Sequence, residues 1–465
     1  MESSKPHAVL LASPGLGHLI PVLELAKRLV THHGFHVTVF AIAASASPVE
    51  SQSLGSAASS KLLHVVELPP ADISSLVDAD AAVFTRIVVM MRETIPSFRA
   101  AISAMKFPPS LMIVDFFGFE ALEIPEFDMP KYTFVPSNAC LLALMLYVPT
   151  LDVEVKGEYV DRAEPLQLPG CKPVRPEDVV DPMLERRNQQ YLECMRMGVG
   201  ITKADGILLN TWEDLEPTTL KALRDHKAMA QFAKVPIYPV GPLTRPIGKE
   251  EARSELLDWL DLQPADSVIY VSFGSGGTHS SEQLAEFIWV VRPPIENDPS
   301  GSFFTTGKGG GEHPSDYLPE GFLTRTKNVG VVVPLWAPQV EILSHPSVGG
   351  FLSHCGWGST LESILSGVPM VAWPLYAEQR LNATMLTEEL GIAVRPEVLP
   401  TKRVVRKEEI EKMVRKVMEE NHSRERVKEV MNSGERALRK DGSSYNSLSQ
   451  VASAAISFHK STGAP

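Results

Sequence analysis

Cysteine is scarce in this chain. The four residues at 140, 171, 194 and 355 stand without CxxC spacing and without histidine pairs at metal-ligand spacing. Neither a zinc site nor a disulfide framework is indicated, and the reading is of a reducing, cytoplasmic setting. No apolar stretch approaches the ~18 residues of a membrane span. The run Ala8 to Ala12 is too brief for the core of a secretion signal. A concentrated basic face is missing as well: the formal net charge is −12, and the one lysine- and arginine-dense stretch, Lys402 to Lys440, interleaves glutamate throughout, as solvated helix faces do. Nucleic acid and stable membrane insertion are excluded as partners. Asp78-Ala79-Asp80 has the outline of a metal-binding pair, yet no further ligand lies nearby, so no metal is assigned.

What is present is an ordinary globular composition, 44% hydrophobic and 22% charged, spread over 465 residues. That length exceeds what one core usually serves, so two domains are expected. Ala8 to Ala12 reads as a buried strand and Ser13 to His18 as a turn. Leu19, Leu23, Ala26 and Val30 fall at helical spacing, Gly34 stops that helix, and Phe35 to Phe40 makes a second strand. This βαβ unit is followed by strand-like runs at Leu111 to Val114, Tyr132 to Val135 and Ile207 to Leu209, which predict a parallel sheet covered on both faces.

Four prolines between Val235 and Lys249 suit a stiff linker. Beyond it the pattern restarts, with strands predicted at Ser267 to Phe273, Phe287 to Val291, Val331 to Val333, Gly349 to Leu352 and Met370 to Ala372. The expected organisation is therefore α/β, with two Rossmann-like doubly wound domains at 1–235 and 251–445, a linker at 236–250, and a final helix at 446–465 packing back on the first domain. Ligands of open α/β sheets bind at the carboxyl ends of the strands, so the active site is expected in a cleft that the two domains face.

His18 lies where the first strand gives way to its helix, after Pro14, Gly15 and Gly17, a place from which an imidazole could accept a proton near neutral pH. A helix-capping or half-buried histidine fits the same position. Asp115 closes a strand amid Phe116, Phe117 and Phe119; a carboxylate in apolar company needs a partner, and pairing with His18 would fix the tautomer of a general base. A capping aspartate reads equally well there. Gly15-Leu16-Gly17 lacks the third glycine of a dinucleotide fingerprint, whereas Gly274-Ser275-Gly276-Gly277 after a strand is a better phosphate cradle. Ser359-Thr360-Leu361-Glu362 has the form of a capping box, and so also of an anion site at a helix start. Without a metal, helix N-termini and His354 are left to stabilise a leaving diphosphate.

With these residues in view, the chain resembles the plant UDP-sugar glycosyltransferases. Trp336 to Gln379 looks like their 44-residue donor box, opening Trp336-Ala337-Pro338-Gln339, containing His354-Cys355-Gly356-Trp357 and Glu362, and closing Glu378-Gln379. The resemblance extends to Pro14-Gly15-Leu16-Gly17-His18 and to Asp115, and implies the GT-B fold. It further implies that Trp336 stacks on uracil, Ala337 offers backbone bonds to it, and Gln339 and Glu362 hold the ribose. By the same likeness His354, Ser359 and Ser275 face the diphosphate, Trp357, Glu378 and Gln379 contact the sugar, with the closing glutamine favouring glucose, and Gly358 lies at the diphosphate or sugar. His18 would act as base assisted by Asp115, inverting the anomeric centre to give a β-glucoside, with no metal or other cofactor beyond UDP-glucose as donor substrate. Phe117 and Phe119 would wall a small phenolic acceptor, and the protein would be a monomer. The stretch Pro165 to Gly170 looks closest to the branch acting on hydroquinones and similar phenols.

Two departures from that pattern keep an alternative open. Gly358 stands where the family carries asparagine after the HCGW segment, which removes an amide donor. Only Ser275 to Glu286 connect two predicted parallel strands, near the ~10 to 12 residue minimum for such a crossover. A homologue that binds UDP-sugar with impaired turnover would carry both changes.

Overall fold

A computed structural model describes residues 5–42, 54–55, 61–78, 80–225, 235–246, 255–274, 287–292, 318–327 and 329–462. The chain forms two compact units, Met1–Leu243 with Arg436–Pro465, and Thr244–Glu435.

The first unit is built on seven parallel strands: β1 (His7–Ala12), β2 (His36–Ile42), β3 (Leu63–Leu68), β4 (Leu111–Asp115), β5 (Lys131–Val135), β6 (Gly206–Leu209) and β7 (Ile237–Pro239). Their order is β3-β2-β1-β4-β5-β6-β7, with Leu10 level with Val39 on one side and Ile113 on the other. The inner strands are buried along almost their whole length, as sheets covered on both faces require. Helix α1 (Leu16–His33) buries Leu19, Leu23 and Ala26 as the spacing predicts, with Val30 only partly covered. It begins two residues before His18 rather than after it, because Gly15 adopts φ 99°, a conformation only glycine takes readily, and turns the chain at once into the helix. Gly34 ends it in the left-handed conformation. Further helices are α2 (Val83–Ser103), α3 (Ala139–Glu154) and α4 (Gln189–Gly200), with a 3₁₀ segment at Phe116–Glu123.

The second unit holds β8 (Val268–Ser272), β9 (Phe287–Val291), β10 (Gly330–Pro334), β11 (Val348–Ser353), β12 (Met370–Ala372) and β13 (Ala393–Val394), all parallel, in the order β10-β9-β8-β11-β12-β13. Its helices include α5 (Gln339–Leu343), α6 (Trp357–Leu365) and α7 (Gln379–Thr384). Ile269, Trp289, Leu352, Val371 and Val417 share its core.

One boundary differs from expectation. The proline-rich segment expected as linker contributes β7, where Ile237 pairs with Ile207. An edge strand needs N–H donors on one side only, so Pro239 is tolerated there. The final helix, α8 (Ser443–Ser461), belongs to the first unit, and its Leu448, Val451, Ala452 and Ala455 complete the core that holds Leu10, Leu25 and Val39.

Candidate active site

In each sheet the strand order reverses at one place, between β1 and β4 in the first and between β8 and β11 in the second. The loops leaving two such strands diverge to opposite faces and open a crevice. His18 and Asp115 stand at the first of these places, and Gly274 and His354 at the second.

At the first, β1 delivers Ser13 and the first turn of α1, and β4 delivers Asp115. Nδ1 of His18 lies 2.8 Å from Oδ2 of Asp115, which is fully buried, while the imidazole is 17% exposed. The second carboxylate oxygen accepts from the Ser13 hydroxyl at 2.5 Å and from the Phe117 N–H at 3.1 Å. Three donors thus offset the cost of burying this acid. The Phe117 bond makes Asp115 an N-cap of the 3₁₀ segment, so the capping and pairing readings hold together. Phe116 stacks on His18 at 5.7 Å, and Phe117, in turn edged by Phe84 of α2, lies 5.2 Å from it.

The segment bearing these rings is tied down by charge. Arg92 of α2 bonds Glu120 of the 3₁₀ segment and Glu193 of α4 at 2.9 and 2.7 Å, and Arg196 bonds the same two glutamates at 2.7 and 2.9 Å. This closed ring of two arginines and two glutamates spans three elements.

At the second reversal, His354 follows β11 and Gly274 follows β8. Gly274 has φ 71°, and a Cβ built on it would fall 2.4 Å from Nε2 of His354; one on Gly356 would fall 2.6 Å from the same atom. The ring is therefore wedged against two glycine backbones. Its Nδ1 is buried with no hydrogen-bond partner among the described residues. Burial, with the Arg292 charge beyond β9 adding to it, pushes the imidazole down to about 4, so it is neutral near pH 7. Helix α6 starts immediately after, at Trp357, with Gly356 as an N-cap that offers no side chain.

That start corrects the capping-box expectation. The turn through Cys355, at φ 65°, and Gly356 begins the helix before Ser359 is reached. Ser359 and Glu362, one turn apart and on one face, point instead to Gln339 at the head of α5: its amide donates to the Ser359 hydroxyl at 3.0 Å and to the Glu362 carboxylate at 2.6 Å. Burial raises the Glu362 pKa, opposed by the Gln339 bond and the Arg245 charge and reinforced by Glu341. The Arg245 guanidinium lies 5.0 Å over the Trp336 ring. Gln379 is buried, and its carbonyl accepts the N–H groups of Leu375 and Tyr376 at 2.9 and 3.1 Å, which turns its NH₂ away from these two donors.

Comparison with known proteins bears on what such a pair of sites is for. The UDP-glucoronosyl and UDP-glucosyl transferase family profile matches residues 306–433. Anthocyanidin 3-O-glucosyltransferase 5 of Manihot esculenta is 57% identical over 464 residues, 97% of this chain and 95% of its own length. Hydroquinone glucosyltransferase of Rauvolfia serpentina is 40% identical, covering 96% and 97%. Among solved structures, TcCGT1 in complex with UDP is 50% identical with a TM-score of 0.91, over 98% of this chain and 100% of that one. The chain belongs to the plant UDP-glycosyltransferase family. Its fold class is GT-B, two Rossmann-like doubly wound domains. Phytolacca americana UGT2 complexed with UDP-2fluoro-glucose and pterostilbene is 37% identical, with a TM-score of 0.84 over 97% and 100% of the two chains.

In this glycosyltransferase the sequence-predicted residues sort into two sets. His18, Asp115 and Phe117 come together in the first unit; Phe119 does not join them, its ring lying against the backbone of Gly200. Gln339, Ser359 and Glu362 come together in the second, with His354 and Trp357 at the same helix start and Trp336 and Ala337 just before α5. Glu378 caps α7 and Gln379 opens it. Ser275 and the shortened connection to Glu286 lie outside the described residues. Ser13, Phe116 and Arg245 belong to these sites without a motif to announce them. Among the described residues no three His, Cys, Asp or Glu side chains converge as metal ligands, and no helix is long and apolar enough to cross a membrane.

Proposed function

We propose that this enzyme transfers glucose from UDP-glucose to a hydroxyl of a small phenolic acceptor, in one displacement that inverts the anomeric carbon and yields a β-glucoside. The observation that carries this reading is the buried Asp115 carboxylate bonded to Nδ1 of His18, which fixes the imidazole tautomer with its basic nitrogen at Nε2. The acceptor hydroxyl passes its proton to Nε2 as its oxygen forms the bond to the anomeric carbon. The carbon–oxygen bond to UDP breaks, and UDP leaves with the electron pair. Asp115 stabilises the imidazolium so formed. A protein that only bound UDP-sugar would have no use for this pair, and the curated relatives named above are called glucosyltransferases.

For the donor, Trp336 stacks on uracil, Ala337 bonds it through its backbone, and Gln339 with Glu362 takes the ribose hydroxyls. His354, Ser359, Ser275 and the first N–H groups of α6 receive the diphosphate, so that protein donors do the work of a metal. The orphaned Nδ1 of His354 suits such a role. Trp357, the Gly358 backbone, Glu378 and the NH₂ of Gln379 contact the sugar. Phe117 faces the acceptor. Incubation with UDP-glucose and a panel of simple phenols, following UDP and glucoside with His18→Ala as control, tests the proposal. UDP release without glucoside, or β-glucoside formation undiminished in the control, would overturn it.

A further inference from the structure

We propose that Arg245 is a positioning residue of the nucleotide site: its guanidinium backs the indole of Trp336 and its charge bears on the Glu362 carboxylate, so that both are presented to a uridine. This rests on the reading that Trp336 and Glu362 hold base and ribose.

Three observations carry it. The guanidinium lies 5.0 Å over the indole ring, within the range at which a cation is held by a π face. A ring covered on one face offers the other to a uracil, and is kept from turning. Second, Arg245 precedes Pro246, which confines its backbone to the extended region and limits where its side chain can reach. Third, its charge acts at Glu362, where with the Gln339 bond it opposes the upward push of burial on the carboxyl pKa. The groups around that carboxyl are Gln339, which donates to it, Glu341, which repels it, Tyr270 of β8 and Arg245. Arg245 is the cation whose charge acts on it. A protonated Glu362 would lose an acceptor site for ribose hydroxyls. Arg245 thus acts on base and ribose together through two other side chains, touching neither.

The test is uridine binding measured by calorimetry as a function of pH, since uridine carries no phosphate that titrates in the acid range. Arg245→Ala is expected to weaken uridine about five- to tenfold at neutral pH. The pH below which binding fails should also rise, because removing the cation raises the pKa of the carboxyl. Arg245→Lys, which keeps the charge without the flat stack, should return the acid limb to its wild-type position and restore only part of the affinity. Unchanged affinity in Arg245→Ala, or weaker affinity with an unmoved acid limb, overturns the proposal. Trp336→Ala and Glu362→Gln separate the two levels: if these leave uridine binding intact, the nucleotide reading itself fails. If they weaken it and Arg245→Ala does not, only the role of Arg245 falls. Thermal unfolding of each variant confirms that folded protein is compared.

Discussion

Nδ1 of His18 stands 2.8 Å from Oδ2 of Asp115, and the other oxygen of that carboxylate is held by Ser13 and by the Phe117 N–H. The carboxylate is thus fixed from the side opposite the histidine. His18→Ala should lower kcat by about 10² to 10⁴, the usual worth of a positioned general base, while leaving the dissociation constant of UDP unchanged. Asp115→Asn should fall in the same range. A loss of UDP affinity as large as the loss of kcat would show that the pair serves folding instead.

His354 supplies a pH prediction. Its folded-state value of about 4 lies below the ordinary 6.5, with burial the main cause. Between those values the unfolded chain binds a proton that the folded one does not, so stability is lost as pH falls through this window. At ~1.4 kcal/mol per unit, the loss amounts to about 3 kcal/mol. Urea denaturation across the window should show a shallower decline in His354→Asn than in the parent; equal declines would remove His354 from the account.

Gly358 leaves room for change. Among the described residues a Cβ built there meets nothing within 4 Å, so Gly358→Asn should fold normally and restore an amide donor at the head of α6. A hydrogen bond to a charged group is worth about 1.5 to 3 kcal/mol, and kcat/KM for UDP-glucose should rise by about tenfold or more. An unchanged kcat/KM would mean that the backbone already does what the amide would do.

Gly274 leaves none. Alanine there would carry its Cβ to 2.4 Å from the His354 ring at a φ of 71°. Gly274→Ala should weaken UDP binding more than about tenfold and lower stability by about 1 to 3 kcal/mol, read by calorimetry and denaturation.

Buried strands were legible because their apolar runs are continuous: β1, β4, β8, β9 and β11 fall within a residue or two of where the sequence places them. Among the edge strands β10 was legible, at Val331 to Val333, but β3 and β7 were not. In β3 only Leu63 and Leu68 are buried, and β7 carries a proline, so neither shows an apolar run. At the site, residues with chemistry in a sequence-visible turn, His18 and Asp115, could be named, whereas Ser13 and Phe116 matter only through the distance at which folding sets them. The head of α6 was misread because a serine and a glutamate three apart fit a cap as well as a ligand site, and only the positive φ at Cys355 decides between them. Arg245 lies in a proline-rich stretch that reads as linker, and nothing in its neighbours marks the indole it covers.

The placement of α8 sets an order of assembly. Leu448, Val451, Ala452 and Ala455 close the core around Leu10, Leu25 and Val39, yet they are translated after every residue of Thr244–Glu435. The domain made first at the ribosome is therefore the one finished last. Its sheet waits with an open apolar face while a whole second domain is synthesised, and that interval is where a chaperone would have most to hold.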